Sequence, residues 1–381
     1  MMRGTLADLR PVYVAGIGLH PYRRLSETPY VRLGLTAVRS ALADAGLAWT
    51  DVDSAWTGTA GLGMAASRRM LRHLGATGIP MTQVENASAS GSSAFRQACL
   101  EVAAGLADVS LALGVDKPSR VRAAPTGVAG LADRLVVPAT HFALLADEYM
   151  DRHGVTAEQV AAVAVKNHRN GSRNPFAQRR KERTLQEVMD EPAVSGTLTR
   201  LQCCPIGEGA AAALVVSGEA VERLGLDPAR CVGVTASAQR SERLYGTADP
   251  DTELTRETAG EAFRQAGITA ADLDVVEVHD AFSIEELLYA EAIGLCGAGE
   301  AAGLLARGAF DVGGRCAVSP SGGLLAMGHP IGPTGVGQIA EITRQLRGEA
   351  GDRQQPGART GLAHMLGVGA VCVIHVLQRL D

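Results

Sequence analysis

Hydrophobic and polar positions along the chain follow two alternating rhythms. The run "PVYVAGIGL" (Pro11–Leu19) is continuously apolar, as in a strand buried on both faces. "YVRLGLTAVRSALADAG" (Tyr30–Gly46) changes to apolar spacing near 3.6 and stops at a glycine, which predicts a helix with a C-terminal stop. "VDSAWTG" returns to strand. The second half repeats this order. Ala43–Gly58 aligns with Arg264–His279: Ala45, Gly46, Leu47, Asp51, Val52 and Asp53 match Ala266, Gly267, Ile268, Asp272, Leu273 and Asp274 at a constant offset of 221. A strand-like run precedes each copy, "VYVAGIG" and "CVGVTAS". A looser match pairs "ASGSSAFRQACLEVAAG" with "GPTGVGQIAEITRQLRG" (Gly332–Gly348), each a turn of small residues feeding an amphipathic helix. Two matched halves predict two similarly folded domains, each a mixed sheet between helices.

The region between the halves differs. From about Pro118 to Leu201 it is polar and Arg-rich, with one helix pair, "FALLADEYMDRHG" and "TAEQVAAVAVKNHRNG". It reads as an inserted loop domain. "EGAAAALVVS" (Glu208–Ser217) then reads as a buried strand returning to the first domain. The expected organisation is an N-terminal domain over 1–117 completed by 205–225, a loop domain over 118–204 and a C-terminal domain over 226–381.

Composition narrows the function. Of 381 residues, 46% are hydrophobic and 20% charged, enough for a sizeable core, while aromatics at 4% leave that core to Ala, Val, Leu and Gly. A net charge of −5 without a basic stripe argues against nucleic acid as the main partner. No signal-like start and no membrane-length apolar run is present, so a cytoplasmic protein is expected. The seven cysteines (99, 203, 204, 231, 296, 316 and 372) form no CxxC and no metal-ligand spacing, so they read as buried free thiols, and no metal site is expected.

Four places could carry chemistry. Ser88, in "VENASASGSSAF", precedes the helix that starts near Gly91, where backbone N–H groups and the helix dipole favour developing negative charge. Taken alone, this segment fits a helix cap or a tight turn better than a nucleophile. His279 and Asp280 end the apolar run "VVEVHDAFS", where α/β folds place function, and fit a cap for "SIEELLYAEAIG" equally well. His329 is the titratable group of "PSGGLLAMGHPIGPTG" (Pro320–Gly335), a loop so punctuated by glycine and proline that position must matter. Gly367 and Gly369, in "HMLGVGAVCVIHVL", would let a ligand approach the backbone, or simply form a tight hairpin or bulge.

These segments, in this order, resemble the thiolase superfamily, most closely the sterol carrier protein thiolase-like (lipid-transfer protein-like) branch. "VENASASGSSAF" is similar to its nucleophile turn. "NHRNGSRNPFAQ" and "CCPIGEGAAAALVVS" are similar to its loop-domain and returning-strand signatures. "VHDAFSIEELLYAEAIGL" and "GGLLAMGHPIGPTG" are similar to its two histidine motifs. The resemblance covers nearly the whole chain. It implies a five-layered αβαβα thiolase fold of two similar domains plus the loop domain, a homodimer or homotetramer, and an acyl-CoA substrate with no separate cofactor, the pantetheine arm lying between core and loop domain. Carried over residue by residue, the catalytic set is Ser88, His329 as its base, His279 beside the thioester oxygen and Gly367 at a second oxyanion hole. Arg179, Arg180 and Arg183, with Lys181, could meet the CoA phosphates, although a solvated loop face explains them as well. A zinc-ribbon and OB-fold partner protein is a further expectation from the branch.

The sequence departs from the pattern where the chemistry is concentrated. The nucleophile position is Ser88 rather than cysteine. The two positions at which relatives carry a second, proton-transferring cysteine are Ala281 and Met365. A cysteine ionises with little help, whereas a serine needs a base within hydrogen-bond reach, itself oriented by a third group. No orienting carboxylate can be assigned in sequence, and ordinary thiolase turnover is not expected. Four readings follow: acyl transfer through Ser88; non-covalent aldol, retro-aldol or decarboxylative chemistry on a CoA thioester; a cysteine-to-serine replacement that traps an acyl complex; and a catalytically silent acyl-CoA-binding subunit or scaffold.

Overall fold

In a computed structural model, residues 5–118, 137–247, 249–367 and 371–379 are described. The strands are β1 (Val12–Arg23), β2 (Ser54–Gly58), β3 (Met81–Val84), β4 (Val109–Asp116), β5 (Ala193–Ser195), β6 (Leu198–Thr199), β7 (Glu208–Ser217), β8 (Val232–Ser241), β9 (Val275–Glu277), β10 (Ala317–Val318), β11 (Thr360–Gly367) and β12 (Val371–Arg379). The helices are α1 (Tyr30–Ala45), α2 (Ala66–Leu71), α3 (Ser90–Ala103), α4 (Val137–His153), α5 (Ala157–Ser172), α6 (Leu185–Met189), α7 (Gly218–Arg223), α8 (Pro250–Ala266), α9 (Ser283–Ile293), α10 (Ala301–Ala306), α11 (Gly323–Ala326) and α12 (Thr334–Arg347).

Ten strands form one mixed sheet in the order β10-β9-β11-β12-β8-β1-β7-β4-β2-β3. Its two halves run outward from the middle with the same plan. β1-β7-β4-β2-β3 is matched by β8-β12-β11-β9-β10, and among the described residues the halves join where Tyr13 and Val14 pair with Gly233 and Val232. This is the internal repeat in three dimensions. Gly46 and Gly267 are both left-handed C-caps, at φ 71° and 68°, and each leads through a short 3-10 turn into β2 or β9. A left-handed residue is where a helix stops at low cost in glycine.

Side-chain alternation makes the layers. On β7, Ala211, Ala213 and Val215 face a core shared with α3 and α12, while Ala210, Ala212, Leu214 and Val216 face α1. In the second half, Ala236, Ala238, Ile374 and Val376 turn outward to α8 and α9. Helix layer, strands, central helix pair, strands and helix layer follow one another, the layering that the sequence resemblance implies. All ten residues of β7 are buried, as its run of alanine and valine requires of a strand covered on both faces.

The central pair positions the site. A Cβ on Gly91 would sit 2.3 Å from the Gly332 carbonyl oxygen, and one on Gly335 would sit 2.2 Å from Ser92 Oγ. Only hydrogen fits there, so α3 and α12 approach at their N-terminal ends and bring the segments just before them together. α4 and α5 form the expected helix pair over α9, and the β5–β6 hairpin lies beside them.

Candidate active site

Ser88 stands two residues before α3 and is 5% exposed. The turn that holds it is tight. Ala87 adopts φ 47°, a left-handed conformation that costs a non-glycine residue about 1–3 kcal/mol. Hydrogen bonds hold it there: Ser90 Oγ donates to the Ala87 carbonyl (2.6 Å) and accepts from the Asn86 N–H (2.9 Å), while Asn86 Nδ2 donates to Ser93 Oγ (2.8 Å). The serines after Ser88 therefore brace the turn, and Ser88 leaves its hydroxyl for another partner.

That partner is His329, 241 residues away, whose Nε2 lies 2.9 Å from Ser88 Oγ. The proton assignment follows from the other side of the ring. Thr334, the first residue of α12, donates its hydroxyl proton to the Pro330 carbonyl (2.7 Å), so its oxygen accepts from His329 Nδ1–H at 2.8 Å. Nε2 then carries the lone pair and accepts from Ser88. Burial, together with the neighbouring His279, holds His329 well below the usual imidazole range and keeps it neutral. The third group expected of an activated serine is thus a threonine hydroxyl rather than a carboxylate. It was not picked out in sequence, although its place at the first turn after "GHPIGP" is a signal.

His279 follows β9, is buried and lies edge-on to His329 with ring centroids 5.3 Å apart. Its Nδ1 is 3.0 Å from Glu285 Oε1, so that nitrogen bears the proton. Its Nε2 is buried and has no hydrogen-bond partner among the described residues. Glu285 is fixed from three sides, since it also accepts from the Phe282 N–H (2.7 Å) and the Tyr289 hydroxyl (3.2 Å). A glutamate three residues inside a helix start is a capping signal, and here the cap also orients a histidine. Behind this pair, His364 Nδ1 accepts the His279 N–H (3.3 Å) and its Nε2 meets Thr255 (3.0 Å). Gly367 ends β11 against the Ser88 turn, where a Cβ would fall 2.3 Å from the Asn86 carbonyl oxygen. Ser88, His279, His329 and Gly367 are therefore brought to one place. Gly369 lies outside the described residues.

Asp280 turns away from this cluster. Its carboxylate accepts from Asn167 Nδ2 and from the Leu324 N–H, both at 2.7 Å, and Asn167 also reaches Glu286, which pairs with Lys166 at 2.9 Å. It ties α5 to both histidine loops, and burial beside Glu286 raises its pKa well above the carboxylate range. The arginines share one cleft but differ in their partners. Arg179 is turned inward, donating to the carbonyls of Cys203 and Leu325 (2.9 Å each), and burial lowers its pKa to about 10. Arg179, Arg180 and Arg183 together line a cleft of about 260 Å³ with Arg24, Lys181 and Arg200. Ala281 and Met365 are both buried, Met365 in an apolar cluster with Ala89 and Val373. All seven cysteines are free, but Cys203, Cys204 and Cys296 are only partly buried, against the expectation of seven buried thiols. The first two lie beside the site because Cys204 N–H pairs with the Ala281 carbonyl (2.8 Å). Among the described residues no group of His, Cys, Asp or Glu is placed to hold a metal ion, and no helix is long and apolar enough to cross a membrane.

Comparison with known proteins decides the family. Residues 17–219 match the thiolase N-terminal domain and residues 236–379 the thiolase C-terminal domain-like family. The chain belongs to the thiolase family. Human sterol carrier protein 2 is 36% identical over 394 residues, covering 97% of this chain and 72% of that protein. Benzoylsuccinyl-CoA thiolase subunit BbsB from Thauera aromatica is 36% identical over 370 residues, covering 94% and 95%. Among solved structures, the Ltp2-ChsH2(DUF35) aldolase superimposes with a TM-score of 0.82 at 26% identity, covering 98% of this chain and 99% of that one.

Proposed function

We propose that this thiolase-family chain is an acyl-CoA-dependent acyltransferase in which Ser88 takes the place of the family's cysteine and becomes acylated. The observation that carries the reading is the Ser88–His329–Thr334 chain, two hydrogen bonds of 2.9 and 2.8 Å that leave a neutral imidazole lone pair on the serine proton. His329 takes that proton as Oγ attacks the thioester, and returns it to the departing CoA thiolate. His279 and Gly367 flank the carbonyl under attack. CoA is substrate, not a resident cofactor, and its phosphates meet the cleft lined by Arg179, Arg180 and Arg183, where Arg179 also holds the loop backbone. A homodimer or homotetramer is supported by the open outer edge of β3, where Thr82 and Gln83 are exposed. A zinc-ribbon and OB-fold partner protein is supported by relatives, one solved with a DUF35 protein and one titled a subunit.

The test is intact-mass spectrometry after mixing with acetyl-CoA and longer acyl-CoAs. Acylation should localise to Ser88 and vanish in Ser88→Ala. Ser88→Cys should raise exchange of labelled CoA into acyl-CoA at least about tenfold, because a thiol ionises far more readily. A second reading, a non-covalent (retro-)aldolase-type enzyme on a CoA thioester, draws support from the aldolase neighbour and from the unpartnered His279 Nε2. In that case Ser88→Ala keeps its turnover. A silent acyl-CoA-binding subunit would bind the thioesters and turn over none.

A further inference from the structure

We propose that the acyl group on Ser88 is handed to water, activated by His279 on Glu285, so that the chain hydrolyses acyl-CoA thioesters. The inference rests on the covalent reading above. It begins from what carbon–carbon chemistry would need. Joining two acyl units requires a base to take a proton from the α-carbon of the incoming thioester, and cleavage requires an acid to return one. The two positions where relatives carry a thiol for this are Ala281 and Met365, a methyl group and a buried thioether that neither give nor take a proton. The nearby thiols do not replace them. Burial pushes Cys203 up to about 11 and Cys204 further. Asp280 is bound to Asn167 and the Leu324 N–H.

What remains is two imidazoles with different protonation patterns around one serine. His329 has its lone pair on Ser88. His279 has a carboxylate at Nδ1, and its buried Nε2 lacks any partner in the described structure. A buried, unpartnered acceptor calls for a hydrogen-bond donor, and water is the donor every acyl-enzyme site can admit. A histidine backed by a carboxylate is the arrangement that accepts a proton from an attacking oxygen. Glu285 is held by Phe282 N–H and Tyr289, so the ring it orients has one direction to face, toward His329 at 5.3 Å. An acyl-serine is an oxygen ester, a poor acceptor for a carbanion but a ready one for base-activated water.

The two steps balance without a further reactant. In the first, Ser88 Oγ bonds to the acyl carbon and the C–S bond breaks; the serine proton passes through His329 to the thiolate, giving CoA–SH. In the second, water bonds to the acyl carbon and its proton goes to His279 Nε2; the C–O bond to Ser88 then breaks, and that same proton is relayed from His279 to the departing Ser88 oxygen, which restores the hydroxyl. The sum is acyl-CoA and water to free acid and CoA, with both imidazoles back in their starting forms.

The experiment follows thiol release and free acid from acetyl-CoA and longer acyl-CoAs in H2¹⁸O. Wild type should release acid and CoA in equal amounts, with ¹⁸O in the acid. Glu285→Gln swaps the carboxylate for an amide that donates to Nδ1 and leaves the proton on Nε2. It should give one equivalent of CoA in a burst, accumulate acyl-Ser88 and slow steady-state release by about 100-fold or more. His279→Gln should behave likewise, which guards against a folding defect confined to one variant. Cys204→Ala should leave hydrolysis unchanged. Acyl-Ser88 that forms in wild type but yields no acid overturns the hydrolytic step and leaves the covalent reading intact. No acyl-Ser88 at all overturns both. Unchanged deacylation in both variants, or hydrolysis lost in Cys204→Ala, overturns the role given to His279.

Discussion

At the residue scale the chain turns on two hydroxyls. Ser88 is a nucleophile only through its neighbours, and Thr334 decides which nitrogen of His329 faces it. Thr334→Val keeps the shape and removes the acceptor for Nδ1–H, so the other tautomer becomes available and the lone pair leaves Ser88. Acylation measured by thiol release should fall roughly 100-fold with KM little changed, and Thr334→Ser should restore most of it. The loss should stay below the ~10⁴ that follows removal of a triad carboxylate, because a hydroxyl orients the ring without stabilising its positive form.

At the element scale the site is a consequence of how closely α3 and α12 meet. The contact is made by Gly91 against the Gly332 carbonyl and by Gly335 against Ser92, where an added Cβ would fall at 2.3 and 2.2 Å. Gly335→Ala should cost about 1–3 kcal/mol by overpacking, seen as a lower midpoint in thermal or urea unfolding. It should also lower acylation at Ser88 more than an equally destabilising substitution far from the pair, since the crossing sets the Ser88–His329 distance. The same scale explains why the Asp280 carboxylate is engaged away from the Ser88 cluster. It lies one residue beyond His279, but the chain past β9 reverses the side-chain direction, and α5 and the α11 loop supply donors on that side.

At the scale of the whole molecule, burial of titratable groups shapes stability against pH. Burial lowers His364 and His375 to about 3 and His168 to about 4, and holds His329 low as well. Each is neutral in the fold and protonates near its ordinary value of 6.5 once unfolded. The unfolded chain therefore binds more protons below pH 6.5, and stability present above that value is lost as pH falls toward 4. Glu277 works in the opposite sense. Burial beside Glu341 raises it to about 8 from 4.5, so the fold keeps a proton that the unfolded chain has released, and stability declines as pH rises from 4.5 through 8. Thermal midpoints should fall from pH 6.5 to 4.5, where four imidazoles outweigh the carboxylates, and should also decline from pH 6.5 to 8. Glu277→Gln should lessen the second decline and steepen the first, because the raised carboxyl acts across the whole window from 4.5 to 8.

Much of this was legible in the chain itself. The repeat at offset 221, the glycine stops at Gly46 and Gly267, the buried strand at Glu208–Ser217 and the turn before Gly91 are local patterns, and local patterns follow from backbone geometry and the period of apolar positions. The residues Ser88, His279, His329 and Gly367 could be named together because their segments resemble thiolase motifs; glycines and prolines single out the segments of His329 and Gly367, whereas Ser88 and His279 by themselves fit helix caps as well or better. Their partners could not. Thr334 on His329, Glu285 on His279, Arg179 turned onto carbonyls and Asp280 onto Asn167 depend on side-chain direction and on which elements pack across the sheet. Those are settled only when α3 and α12 close on each other, because a hydrogen bond of 2.9 Å between residues 241 apart is a property of the packed layers and not of either segment.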